Sequence, residues 1–136
     1  MKYLTGYVTV RRFKGYALPV PVQNRLLREY ANKLNMIYVL PQCEMVTNKN
    51  YMMLFETLEE MNENSCLGMC SIFMFPEDNE KARDIMEILM KKNITSHFVF
   101  DEISVKPNKI KDYYINSNID TILGIKNKNS IINLFE

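Results

Sequence analysis

From Cys66 to Phe75 the chain carries no charge, and only Gly68 and Ser71 interrupt its apolar side chains. A stretch so nearly continuous reads as a strand buried on both faces, at the centre of a sheet with helices above and below. Strand-like and helix-like segments alternate around it. Tyr3 to Val10, rich in Thr, Val and Tyr, reads as a strand. Pro19 and Pro21 bracket a helix start, because proline fits the first turn, where its missing N–H is no loss. Val22, Leu26, Leu27 and Tyr30, then Ala31 and Leu34, recur at helical spacing up to Asn35. Met36 to Leu40 is a short strand, Tyr51 to Glu63 a helix, Glu80 to Lys92 another after the turn at Pro76 to Asn79, and Ile94 to Phe100 a fourth strand.

Four strands alternating with helices predict an α/β three-layer sandwich with a mostly parallel four-stranded sheet, since right-handed crossovers permit little else. The 136 residues, 47% of them apolar and 24% charged, suit one domain spanning 1–136 with its own core. Ile110 to Tyr114 and Ile119 to Ile125 read as helical, so 107–136 forms a C-terminal helical tail.

Three cysteines without a CxxC spacing and a lone histidine give no zinc quartet and imply a reducing compartment. The opening residues lack the apolar core of a signal peptide, and no run approaches the length of a membrane span. A cytoplasmic protein is expected, with no metal, no cofactor and no membrane partner. The net charge of +1 is unevenly laid out: +6 over residues 1–35, −7 over 36–105 and +2 beyond. That acidic middle argues against nucleic acid, which needs a broad basic face. The Arg11-Arg12-Phe13-Lys14 cluster is of a size to hold one small anion, or is simply a solvated charge run.

In a parallel sheet, ligands gather beyond the carboxyl ends of the strands. Arg11 and Arg12 follow the first strand, Gln42 and Glu44 the second, Glu77 and Asp78 the third, Asp101 and Glu102 the fourth. Gln23, in the first turn of the first helix, and Tyr51, at the start of the second, are placed to reach the same rim. Arg11, Arg12, Gln23 and Tyr51 are therefore the candidate binding residues. Glu44 and Glu77 are candidate acid–base carboxylates, or else accept N–H bonds from the turns that follow them. His97 titrates near neutral pH and completes the catalytic candidates, although its place within a strand equally fits a hydrogen-bonded core histidine. Four scattered glycines form neither a phosphate loop nor a dinucleotide fingerprint. Cys70 and Ser71, inside the predicted central strand, read as core.

The series Gly6-Tyr7-Val8, Arg12-x-x-x-Gly15, Pro21-x-Gln23-Asn24, Arg28-x-Tyr30, Leu40-Pro41, Glu44, Tyr51-Met52-Met53-Leu54, Ser71-x-Phe73, Pro76-Glu77-Asp78 and His97-Phe98 resembles the sporadic carbohydrate cluster proteins. These are small bacterial proteins encoded among genes for surface polysaccharides, and the likeness runs from Gly6 to about Glu102. It implies a context, surface glycan or lipopolysaccharide biosynthesis, without a defined reaction. More distantly, the strand ending in arginine, the helix with a glutamine and the acidic turn after a buried strand resemble the serine recombinase catalytic domain. The serine which that family needs after the first strand is replaced here by Arg11-Arg12-Phe13, so this likeness implies only a resolvase-like or flavodoxin-like fold. Together these readings lead us to expect an enzyme or enzyme subunit acting on a small anionic sugar metabolite. A non-catalytic scaffold of a glycan-assembly complex, with Tyr113 and Tyr114 on a contact surface, is the alternative. Open sheet edges imply a homo-oligomer in either case.

Overall fold

The computed structural model describes residues 2–13, 17–41, 51–117 and the backbone of 43–44. Its strands are β1 (Tyr3–Gly6), β2 (Val8–Thr9), β3 (Ile37–Val39), β4 (Cys43–Glu44), β5 (Ser65–Met69), β6 (Ser96–Phe98) and β7 (Ile103–Val105). Its helices are α1 (Val20–Lys33), α2 (Met52–Glu60), α3 (Asn79–Lys92) and α4 (110–117). Among the described residues five strands form the main sheet, in the order β3-β1-β5-β6-β7, and β2 pairs with β4 in a separate parallel ribbon. β1 runs parallel to both β3 and β5, and β5 to β6. The fold is thus α/β with a mostly parallel sheet, and the hydrophobic 66–75 region supplies its middle strand.

Side-chain alternation along the strands divides the core in two. Leu4, Val8 and Cys66 face α1, where Leu27 and Ala31 cover them. Leu67, Met69 and Phe98 face the opposite way, against Leu54 and Leu58 of α2, Ile85 and Leu89 of α3 and Ile110 of α4. With both faces covered, the inner strands β1, β5 and β6 contain no Asp, Glu, Lys or Arg, although β6 buries the polar Ser96 and His97 beside Phe98. The parallel pair Gly6 and Gly68 is kept small by packing: a Cβ on Gly68 would meet Leu4 at 2.9 Å, and one on Gly6 would meet the Tyr38 hydroxyl at 2.6 Å.

Three details differ from the sequence reading. The sheet has five strands rather than four, because β7 folds back antiparallel onto β6 through a turn in which Glu102 adopts a φ of 51°. The strand expected over Tyr3 to Val10 breaks at Tyr7, whose N–H donates to the Gly68 carbonyl at 2.8 Å, and resumes as β2. The segment expected to run to Phe75 ends as a strand at Met69. There the Ser71 hydroxyl accepts the Phe73 N–H at 3.1 Å and starts a 3₁₀ turn over Ile72–Met74. Cys70 is core as expected, and burial pushes its thiol up to about 12.

The ends of α3 follow ordinary capping rules. Asp78 caps α3 by accepting the Glu80 N–H at 2.9 Å, and Asn93 closes that helix in a left-handed conformation. The last carbonyls of α2 are served from another element. Lys92 Nζ donates to the Leu58 and Glu59 carbonyls at 2.7 and 2.6 Å, which ties the end of α3 to the end of α2.

The 107–136 tail begins with the Pro107–Lys109 turn and α4; the helix expected over Ile119 to Ile125 lies outside the described residues. Tyr113 and Tyr114 are half-buried and engaged with the fold. Tyr113 stacks on Phe98 with ring centroids 5.2 Å apart and donates to Asp101, while Tyr114 donates to the Pro76 carbonyl at 3.2 Å. Among the described residues, no helix is long and apolar enough to cross a membrane.

Candidate functional site

The chain runs from β1 outward to β3, then returns across β1 to begin β5, so strand order reverses between β1 and β5. In open α/β sheets this reversal opens a crevice beyond the carboxyl ends of the strands, because the connecting loops diverge on either side of it. A cleft of about 550 Å³ lies beyond those ends. Arg11 and Arg12 enter it from the segment after β2, Phe73 and Phe75 from the turn after β5, Tyr51 from the start of α2, and Glu77, Asp78 and Lys81 from the start of α3.

Arg11 is the best anchored of these. Its Nη2 donates to the Tyr7 hydroxyl at 3.2 Å and to the Met74 carbonyl at 3.3 Å, and its backbone N–H donates to Thr9 Oγ1 at 3.1 Å. The guanidinium carbon sits 4.1 Å from the centre of the Tyr51 ring, within cation–π range. Nη1 is buried and has no hydrogen-bond partner among the described residues. A buried donor left unpaired is costly, so an acceptor reaching it would relieve that cost.

Tyr51 holds its ring there from a left-handed backbone, with φ of 56° and ψ of 36°. For a bulky L-residue that conformation costs about 1–2 kcal/mol. Such strain concentrates at functional sites, where surrounding structure over-determines it. Asp78 is occupied in capping α3. Lys81 stands in the first turn of that helix, where the macrodipole disfavours a cation, so its position also goes against a local preference.

Arg11, Arg12, Tyr51 and Glu77, four of the seven candidates read from the sequence, therefore line one cleft. Gln23 does not. Its side chain is fully buried and its amide is consumed by the backbone: Oε1 accepts the Thr9 N–H at 3.2 Å, while Nε2 donates to the Thr9 and Leu18 carbonyls at 2.7 Å each. It acts as a surrogate strand partner for β2, which leads into Arg11. His97 is elsewhere. Strand alternation turns it toward α1, where its Nδ1 is hydrogen-bonded to the Tyr30 hydroxyl at 2.9 Å. It borders a separate recess shared with Lys2, Met36 and Thr95, and does not line the cleft. Burial, then the nearby Lys2 charge, lower its pKa and favour the neutral ring. Glu44 pairs through its backbone with Thr9, two residues before Arg11; its side chain, like the whole of Gln42, lies outside the described residues.

Phe73, Phe75, Tyr7 and Lys81 were not among the candidate site residues, although Tyr7 and Phe73 stand in the series that carries the resemblance. The two phenylalanines were absorbed into the apolar run and Tyr7 into a strand. Lys81 alone carried a signal, a cation in an acidic helix start. Seen together, these groups can hold an anion between Arg11, Arg12 and Lys81, offer aromatic walls to a ring, and present the Glu77 carboxylate to hydroxyls or protons. No protein-family model and no curated protein sequence matches the chain.

Proposed function

We propose that this protein is an enzyme, or the binding subunit of one, that takes a small anionic sugar metabolite into the cleft between the β1 and β5 ends. The observation that carries this reading is the Arg11 guanidinium, fixed by Tyr7, the Met74 carbonyl and the Tyr51 ring, beside Arg12 and Lys81 at the strand-order reversal. A volume of about 550 Å³ suits a monosaccharide derivative. Tyr51 and Phe73 receive the C–H face of the sugar ring, and Glu77 accepts its hydroxyls and supplies or takes up the proton in any acid–base step. His97 has no part in this, since its side chain faces α1 and is hydrogen-bonded to Tyr30 outside the cleft. The assignment to surface-polysaccharide assembly rests on the resemblance to sporadic carbohydrate cluster proteins, and the cytoplasmic setting on the cysteine pattern.

Calorimetric titration with sugar phosphates, uronates and nucleotide sugars tests the reading. Binding by one class, weakened at least tenfold in Arg12→Ala, supports it. If the whole panel fails to bind, or if Arg12→Ala binds as well as the parent, the cleft is not the site.

A second reading, self-association without catalysis, is favoured by β3. Among the described residues β3 is an edge strand, exposing Ile37 and Val39 at 43 and 39% of their surfaces, with Leu40 just after it at 63%. Such edges invite pairing with another copy. Sizing chromatography of the parent and of Val39→Lys decides it: a dimer converted to monomer supports an interface at β3, and a monomeric parent removes it.

A further inference from the structure

Independently of the cleft, we propose that the recess beside His97 is a second ligand site, and that it takes a small organic anion with two separated negative charges, a short aliphatic dicarboxylate. The recess holds about 410 Å³, and no residue lines both it and the cleft. Lys2 and Lys106 line it and no carboxylate does; Glu29 and Glu102 line the neighbouring recess instead. Neither lysine makes an ion pair among the described residues. Burial, then the Lys2 charge, favour the neutral His97 ring, so two uncompensated ammonium groups set the charge of the recess.

Two solvated lysines alone would not make a site; His97 adds a buried donor. Its side chain is 7% exposed, yet only one ring nitrogen is in use: Nδ1 meets the Tyr30 hydroxyl at 2.9 Å, and Nε2 has no partner among the described residues. A phenol donates more readily than it accepts, and an imidazole nitrogen accepts well, so the bond to Tyr30 leaves the ring proton on Nε2. That N–H is turned away from Tyr30, on a nearly buried ring that lines the recess, and an acceptor arriving there satisfies it.

Strand order separates the two charges. Lys2 immediately precedes β1 and Lys106 immediately follows β7, with β5 and β6 between those strands. Three inter-strand steps set the two backbones roughly 14 Å apart, so the ammonium groups come at the recess from opposite sides. His97 on β6 and Ser104 on β7 stand at the Lys106 side. Cys66, on β5 between the lysine-bearing strands, keeps a neutral thiol because burial raises its pKa, and Leu34 and Met36 add apolar wall. Polar ends and an apolar middle match a short methylene chain that carries a carboxylate at each end. A compact dianion such as sulfate reaches only one of the two ends.

His97 is the only histidine of the chain, so its ring resonances report this recess and not the cleft. The test follows those resonances in the full chain, at pH 7.5 and constant ionic strength, while succinate, glutarate or adipate is added, with sulfate, inorganic phosphate and acetate as comparison anions. We expect a saturable shift with a dicarboxylate, binding about tenfold tighter than the comparison anions, and a loss of about tenfold in both Lys2→Gln and Lys106→Gln. Lys33→Gln, which removes a charge from the neighbouring recess, should leave the affinity unchanged. Sulfate or phosphate binding as tightly as the best dicarboxylate, or a loss confined to one of the two recess variants, overturns the separated-charge assignment while leaving an anion site. No saturable shift with any anion, or equal weakening by Lys33→Gln and the recess variants, overturns the site itself.

Discussion

Arg11 owes its fixed geometry to residues that never reach the cleft. Gln23 pairs with both backbone groups of Thr9, and Thr9 in turn receives the Arg11 N–H, so a buried amide in α1 sets the position of a guanidinium at the rim. Gln23→Ala strands three polar backbone atoms and is expected to lower stability by about 1–3 kcal/mol in urea unfolding. It should also weaken ligand binding, although the side chain contacts no ligand. Arg11→Lys keeps the charge but not the planar stack on Tyr51 or the paired contact to Tyr7 and Met74, and at least a tenfold loss of affinity is expected. His97 is a separate matter. Its folded-state pKa lies below the unfolded value of about 6.5, so the unfolded chain binds more protons as pH falls below that value. Stability is therefore expected to be flat above about pH 7 and to decline from pH 6.5 downward. Denaturant midpoints from pH 7.5 to 5 should show the decline, and His97→Gln should reduce it.

At the scale of elements, the alternation of strand and helix was readable because each helix carries one apolar face at helical spacing and the inner strands β1, β5 and β6 contain no Asp, Glu, Lys or Arg. β7 was missed for the converse reason: Ile103 and Ser104 are exposed and only Val105 is buried, so no apolar pattern marks it. The end of β5 was misread because Cys70, Ile72 and Met74 remain buried after the strand stops. Composition does not change there, and only the Ser71 hydroxyl turns the chain. The tie between α2 and α3 left no mark in local sequence either, since Lys92 looks like a lysine placed for its own helix dipole. Lys92→Met keeps the stem and removes the donor. It is expected to cost about 1–2 kcal/mol and to speed amide exchange in the last turn of α2, with the first turn of α3 unaffected.

For the whole molecule, the order of strands explains why residues far apart in the chain meet. Arg11, Arg12 and Glu77 could be placed at strand ends from sequence, and the reversal between β1 and β5 then draws those ends together. Gln23 and His97 could not be assigned that way, because hydrogen-bonding partners and strand facing, rather than chain position, decide where a side chain points. Ligand binding in the crevice is tested most directly by amide chemical-shift mapping. Titrated with the tightest-binding sugar derivative, the full chain should show shifts concentrated at residues 11–13, 51–53 and 73–81, and none beside His97 or along β3. Shifts centred on His97 and Lys2, or on the exposed β3 edge, would contradict it.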